Sequence, residues 1–88
     1  MPKAIAYSRD ALKVLSRLDR ATTARIVGKI EQLAAEPDAL ANTITALKGG
    51  EGLMRLRVGD WRVIYDLNDQ LTVLAVERIA ARGEVYNA

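Results

Sequence analysis

The sequence of 88 residues contains neither cysteine nor histidine. Without cysteine, the chain can form no disulfide bond, no catalytic thiolate and no zinc site built on cysteine. Without histidine, it lacks the commonest general base near neutral pH and the commonest metal ligand. Any catalysis therefore has to use Lys, Arg, Tyr, Asp or Glu, and we expect neither a metal nor another cofactor.

Long apolar runs are also missing. No segment reaches the roughly 18 consecutive apolar residues that a membrane-spanning helix needs. Residues 1–7 are too few and too mixed for a signal peptide. We therefore expect a cytoplasmic protein with no membrane partner. The net charge is only +2, so charge alone does not predict a nucleic-acid partner.

What is present predicts one small domain over residues 1–88, because half of the residues are apolar and can form a modest core. A short strand is predicted at residues 3–7. Ser8 is a suitable N-cap for a first helix and Asp19 for a second, since both side chains accept hydrogen bonds from unpaired backbone N–H groups. Pro37 ends the second helix. The two helices form an antiparallel hairpin joined at residues 18–20.

The residue period changes from 3.6 to 2 in the second half of the chain. Residues 37–50 are interpreted as a loop, and strands are predicted at residues 53–58, 61–67 and 71–79. Tight turns join these strands, so they form an antiparallel meander. The predicted fold is α+β, with the order β-α-α-β-β-β and a short C-terminal tail. The helix hairpin covers one face of the sheet and leaves the other open to water.

Basic side chains concentrate in this second half. Arg55 and Arg57 project from the same side of one predicted strand, Arg62 begins the next strand, and Arg78 closes the last. A cluster of arginines on an open sheet face suits phosphate, which the planar guanidinium group binds through two parallel hydrogen bonds. The alternative is an ordinary solvated face whose arginines pair with acidic neighbours, and the pattern alone favours neither interpretation. Those acidic neighbours are Asp66, Glu77 and Glu84.

Four sequence elements in this order resemble the RelE/ParE toxin superfamily. They are Leu-Lys-Gly at 47–49, Leu-Met-Arg-Leu-Arg at 53–57, Trp-Arg-Val-Ile-Tyr at 61–65, and a tail that runs from Arg-Ile at 78–79 to Arg-Gly-Glu-Val-Tyr at 82–86. The family typically shows a Leu-Lys/Arg-Gly element, a basic strand, a Tyr-Arg-hydrophobic-hydrophobic-Tyr strand and a tail ending in His-Arg-x-x-Val-Tyr. The similarity covers the whole chain in layout and residues 47–86 in motif.

The resemblance implies a RelE-like toxin of a type II toxin–antitoxin system. Such a toxin is a ribosome-dependent endoribonuclease that cuts mRNA in the A site by attack of a ribose 2′-hydroxyl, which inhibits translation. The implied partners are a cognate antitoxin, the ribosome and the A-site mRNA. The resemblance implies a catalytic role for Arg55, Arg62, Arg82 and Tyr86. It implies RNA contacts for Lys48, Arg57 and Arg78.

Two positions depart from the family pattern and keep other functions open. Ala81 occupies the tail position that is usually histidine, and Leu53 occupies a strand position that is lysine in typical RelE enzymes. One alternative is therefore a ParE-like protein that poisons DNA gyrase without cutting RNA. Another is a degenerate toxin that only binds its antitoxin. Apolar residues of the helix hairpin could dock the antitoxin, although core positions are the favoured interpretation for these residues: Leu12, Leu15, Ile26 and Ile30.

Overall fold

The computed structural model describes residues 3–46, 52–67 and 69–79 of the chain. In this part of the chain, two helices pack on one face of a five-stranded sheet, which confirms the predicted α+β fold. No helix among these residues is long and apolar enough to cross a bilayer. The elements are β1 (Ile5–Tyr7), α1 (Arg9–Arg17), α2 (Arg20–Ala35), a 3-10 helix (Pro37–Thr43), β2 (Ile44–Ala46), β3 (Leu53–Val58), β4 (Trp61–Leu67) and β5 (Leu71–Arg78).

Both predicted helix N-caps are confirmed. The Ser8 hydroxyl accepts a hydrogen bond from the Ala11 backbone N–H at 3.0 Å. The Asp19 carboxylate accepts one from the Thr22 backbone N–H at 3.1 Å, and hydrogen bonds from the side chain and backbone of Thr22 lower the pKa of Asp19. Helix α2 stops two residues before Pro37, as the restriction on the residue before proline requires. Local chemistry therefore sets the ends of the hairpin.

The prediction of a loop over residues 37–50 is wrong for residues 37–46. Pro37 starts a 3-10 helix, for which its fixed φ is already suitable. Strand β2 follows and pairs antiparallel with β3, with Thr45 opposite Arg55. Ile44 and Thr45 are β-branched, which favours extended backbone. This segment supplies an edge strand and one wall of the site described below.

The strand order across the sheet is β1-β5-β4-β3-β2. Strands β3, β4 and β5 form the predicted antiparallel meander. Strand β1 returns beside β5 and runs parallel to it. The helix hairpin lies between β1 and the rest of the sheet in sequence, so it can fold back over one face. The opposite face, which we call the open face, is covered by neither α1 nor α2.

The core lies between the hairpin and the sheet. Leu15, Ile26 and Ile30 are buried, so the interpretation of these three as core residues is confirmed. Leu12 is different, because 53% of its surface is exposed. From the sheet, the buried side chains that meet the helices include Leu56, Val58, Val63, Tyr65, Leu71, Val73 and Val76.

One β-bulge interrupts the pairing of β4 with β5. Ile64 lies opposite Ala75, but the next residue, Tyr65, lies opposite Val73, so Leu74 is an extra residue in β5. Ser8 binds the bulge from the start of α1: its backbone N–H donates to the Val73 carbonyl at 2.8 Å, and its hydroxyl donates to the Leu74 carbonyl at 2.7 Å. Because side chains alternate along a strand, the extra residue reverses the face of every side chain that follows it.

Candidate nucleic-acid interface

Three arginines from two neighbouring strands lie on the open face. Arg57 pairs directly with Arg62 across β3 and β4, and Arg62 pairs with Glu77 across β4 and β5. Arg55 lies in the adjacent row, opposite Ile64. Strands in a sheet are separated by about 4.8 Å, so the guanidinium groups share one small area of the surface.

These arginines surround a cleft of about 250 Å³, which we call the arginine cleft. The 3-10 helix and β2 form one wall, β3 and β4 form the floor, and the residue after β5 closes the other side. Its side chains are mainly hydrogen-bond donors to anions and hydroxyl groups, which suits a sugar–phosphate backbone. The lining residues are Asn42, Thr43, Thr45, Arg55, Arg57, Arg62 and Ile79.

Arg62 forms an ion pair at the rim of this cleft. Its Nε donates to Oε1 of Glu77 at 2.9 Å, and the two side chains are 38% and 49% exposed. Ion pairs this exposed contribute about 0–1 kcal/mol, so the pair does not prevent Arg62 from binding an anion. Neither Arg55 nor Arg57 has a carboxylate partner within the described ranges.

The direct pairing of Arg57 with Arg62 places like charges opposite each other on one sheet face. Such a pair is destabilising in an isolated sheet. Glu77 offsets part of this repulsion from the far side of Arg62. The remaining positive charge is best neutralised by a bound anion, and arginine binds phosphate with two parallel hydrogen bonds.

The structure therefore brings together three of the residues singled out from the sequence: Arg55, Arg57 and Arg62. Lys48, Arg82 and Tyr86 lie outside the described residues. For Arg78, the prediction of a place on the open face is wrong. Arg78 pairs with Trp61, which pairs with the buried Val58, and so it follows the helix-covered face. The bulge is the physical reason, because it reverses the faces of β5 after Leu74. An RNA contact by Arg78 stays a prediction.

Sequence reasoning missed several residues of the site. The loop predicted from the sequence includes Thr43 and Thr45, although the β-branched run around Ile44 is typical of a strand. Asn42 and Ile79 carried no signal of their own. The sequence indicates Glu77 only as one of three possible arginine partners. Strict alternation from the buried Leu71 would place it on the helix-covered face, so the pattern gives no signal for its position in the structure.

Proton-transfer groups are scarce at this site. No Asp, Glu, Lys or Tyr is among the described residues that line the arginine cleft. Burial raises the pKa of Tyr65, and burial together with the Glu31 charge raises the pKa of Tyr7. Both tyrosines pair with the buried Val73 and so share the helix-covered face. The described lining can therefore bind a phosphate but supplies no proton acceptor.

Among the residues in the described ranges, no group of three or more Asp or Glu side chains is arranged to hold a metal ion. The chemistry that the cleft can offer is that of fixed positive charge and hydrogen-bond donors, which stabilise negative charge as it develops on a phosphate.

The model of one protein family, the ParE toxin of type II toxin–antitoxin systems (parDE), matches residues 5–86. The chain belongs to this family. The match includes both helices, all five strands and the arginine cleft, so the chain is a type II toxin of the RelE/ParE kind. No curated protein sequence matches the chain.

Several solved toxin structures share its fold. The toxin in the RelE–RelB complex from Pyrococcus horikoshii is 26% identical, with a TM-score of 0.76, and the alignment covers 91% of this chain and 98% of that one. The isolated Escherichia coli RelE toxin is 20% identical, with a TM-score of 0.74 and coverage of 97% and 92%. A chain of the Mycobacterium tuberculosis RelBE2 complex is 22% identical, with a TM-score of 0.73 and coverage of 89% and 99%. The architecture is thus that of RelE.

Proposed function

We propose that this type II toxin is a ribosome-dependent endoribonuclease that cuts mRNA in the A site and so inhibits translation. The observation that supports this most directly is the convergence of Arg55, Arg57 and Arg62 on one cleft. Two of the three have no carboxylate partner in the described part of the chain. An RNA backbone presents phosphates and 2′-hydroxyls, and the cleft lining has donors for both.

In the proposed reaction, the ribose 2′-hydroxyl gives its proton to a base as its oxygen attacks the adjacent phosphorus atom. The bond from phosphorus to the 5′-oxygen breaks, and an acid protonates this leaving oxygen. The products are a cyclic phosphate and a free 5′-hydroxyl. Negative charge grows on the phosphate oxygens during attack, and Arg55 and Arg62 stabilise it. Arg57 and Lys48 hold neighbouring phosphates and so fix the register of the RNA.

The C-terminal tail is proposed to complete the site. Ile79 lines the cleft, and Arg82 follows it three residues later. Tyr86 is proposed to stack on the substrate base or to assist proton transfer. In this proposal the tail supplies the proton-transfer group that the described lining lacks.

The test is inducible expression without the antitoxin, followed by mapping of new RNA 5′ ends on translated messages. We expect cuts in register with codons. Arg55→Ala and Arg62→Ala should each lower cleavage by about 10²–10³-fold, the usual cost of one donor to developing negative charge. Arg17→Ala, on the exposed surface of α1, makes the same change in charge and should have no effect. Growth arrest without codon-registered cuts would contradict the proposal.

A second function is favoured by a specific observation. The matching family is that of ParE, and the described cleft lining contains no proton acceptor. The alternative is therefore a toxin that poisons DNA gyrase without cutting RNA. Supercoiling by purified gyrase in the presence of the toxin distinguishes the two, because only a ParE-like toxin should inhibit it.

We also propose a cognate antitoxin as the partner in the cell. The solved structures from M. tuberculosis and P. horikoshii are toxin–antitoxin complexes. Expression of this toxin alone should arrest growth, and co-expression with the neighbouring open reading frame should restore it. Harmless expression of the toxin alone would argue against any toxic function.

A further inference from the structure

The bulge at Leu74 places a carboxylate, that of Glu77, beside Arg62. Without it, strict alternation from Leu71 would direct Glu77 to the helix-covered face and Arg78 to the open face. With it, Glu77 pairs with Arg62 on the open face. Bulges often redirect a side chain next to an active site. The carboxylate is therefore delivered to the arginine cleft by a specific irregularity of the sheet.

We propose that Glu77 is a positioning residue that fixes the orientation of the Arg62 guanidinium for phosphate binding. The inference rests on the proposed function, since it concerns how Arg62 meets the RNA backbone. It assigns Glu77 a role through Arg62 and no direct contact with the reacting atoms.

The hydrogen bond between Arg62 and Glu77 leaves the phosphate-binding edge of the guanidinium group available. Glu77 Oε1 accepts from Nε of Arg62 at 2.9 Å. A guanidinium has five N–H groups, and Nε carries only one of them. The four N–H groups on the two terminal nitrogens stay available, and they form the edge that binds a phosphate through two parallel hydrogen bonds.

Fixing this side chain has a clear physical benefit. A free arginine side chain has high rotamer entropy, part of which is lost when it is held on a ligand. In the free toxin Glu77 already restrains the guanidinium from the side, while Arg62 lines the cleft and Glu77 does not. The carboxylate therefore orients the arginine without occupying the space of the phosphate.

Two substitutions separate orientation from charge. Glu77→Gln and Glu77→Ala both remove one negative charge, but only glutamine keeps an oxygen that accepts from Arg62 Nε. Codon-registered cleavage by E77Q should stay within about 1.5-fold of wild type. Cleavage by E77A should fall by about three- to fivefold, because an exposed ion pair can bias the orientation of a side chain only by about this factor. Glu31→Gln, on exposed α2 surface, controls for the change in charge.

A double-mutant cycle tests whether Glu77 acts through Arg62. If it does, E77A should cause no further loss in an Arg62→Ala background. Three outcomes would overturn the inference. Equal loss in E77Q and E77A would mean that the carboxylate itself takes part in the reaction. Cleavage by E77A equal to wild type would mean that orientation has no effect, and a loss that persists without Arg62 would mean that Glu77 acts elsewhere.

Failure of the inference can be told apart from failure of the proposed function. If wild-type toxin makes no cuts, the nuclease proposal fails, but the orientation of Arg62 can still be measured. The ¹⁵N–¹H signal of Arg62 Nε should be partly protected from solvent exchange in wild type and E77Q, and exchange should be about three- to fivefold faster in E77A, because only alanine removes the acceptor. Equal exchange in all three proteins would refute the positioning role whether or not RNA is cut.

Discussion

Replacing Ser8 with alanine removes one hydroxyl group that connects two parts of the fold. The hydroxyl accepts from the Ala11 backbone N–H and so caps helix α1. It also donates to the carbonyl of Leu74, the extra residue of the bulge. The substitution therefore tests the start of the helix and the irregular strand together.

The magnitude follows from these two bonds. Loss of a serine N-cap costs about 1 kcal/mol, and loss of an intramolecular hydrogen bond costs about 0.5–1.5 kcal/mol. We expect Ser8→Ala to lower the free energy of unfolding by about 2 kcal/mol. For a domain of this size each kcal/mol shifts Tm by about 4–8 °C, so Tm should fall by roughly 8–16 °C.

Urea unfolding monitored by circular dichroism measures the change, and Ser16→Ala is the matched control. Ser16 lies on the same helix, but its exposed hydroxyl donates only to the Lys13 carbonyl within α1. Alanine is the better helix former, so Ser16→Ala should be neutral or slightly stabilising. A loss below about 0.5 kcal/mol in Ser8→Ala would refute the argument, since either bond alone predicts at least that much.

Three further outcomes are expected. Gly28→Ala should stabilise the protein by about 0.5–1 kcal/mol, because Gly28 lies within α2 with open space around it. Gly59→Ala should destabilise the protein by about 1–2 kcal/mol, because Gly59 has a φ of +57°. Urea unfolding measures both changes. Because the pKa of Asp19 is lowered in the folded state, its ionised carboxylate stabilises the fold above about pH 4, and this stabilisation is lost as the pH falls through the folded-state pKa. The difference in unfolding free energy between wild type and Asp19→Asn should therefore shrink in acid. Arg57→Ala should weaken binding to a 2′-O-methyl oligoribonucleotide and reduce the salt slope by about one, while Arg17→Ala, on the exposed surface of α1, should change neither. Equal effects of the two substitutions would argue against RNA binding at the arginine cleft.

The parts of the fold that could be predicted from the sequence are those fixed by local chemistry. Ser8 and Asp19 cap helices with their own side chains, and Pro37 ends a helix through its own ring. The alternation of β3 and β4 is equally local. The sequence alone therefore predicts that Arg55 and Arg57 lie on one face of the sheet.

The parts that could not be predicted depend on distant pairing. Strand β2 has only three residues and is defined by its partner β3. The sequence pattern does not reveal the bulge, for a different reason. Residues 71–76 contain five apolar residues among six, so either phase of alternation buries apolar side chains and the pattern does not reveal a shift. The sequence could therefore predict three arginines of the arginine cleft but not the positions of Glu77 and Arg78.

The bulge connects the stability of the sheet to the charge of the site. A regular β5 would keep the pairing that begins with Leu71 opposite Leu67, and so would place Val76 opposite Arg62 and Arg78 elsewhere on the same open face. The extra residue places Glu77 opposite Arg62 instead, and this carboxylate offsets part of the repulsion between Arg62 and Arg57 in the free protein. The same carboxylate holds Nε of Arg62 and leaves its terminal nitrogens for a phosphate. Because Ser8 binds the bulge from the start of α1, the helix hairpin on one face of the sheet helps to define the charge pattern on the other.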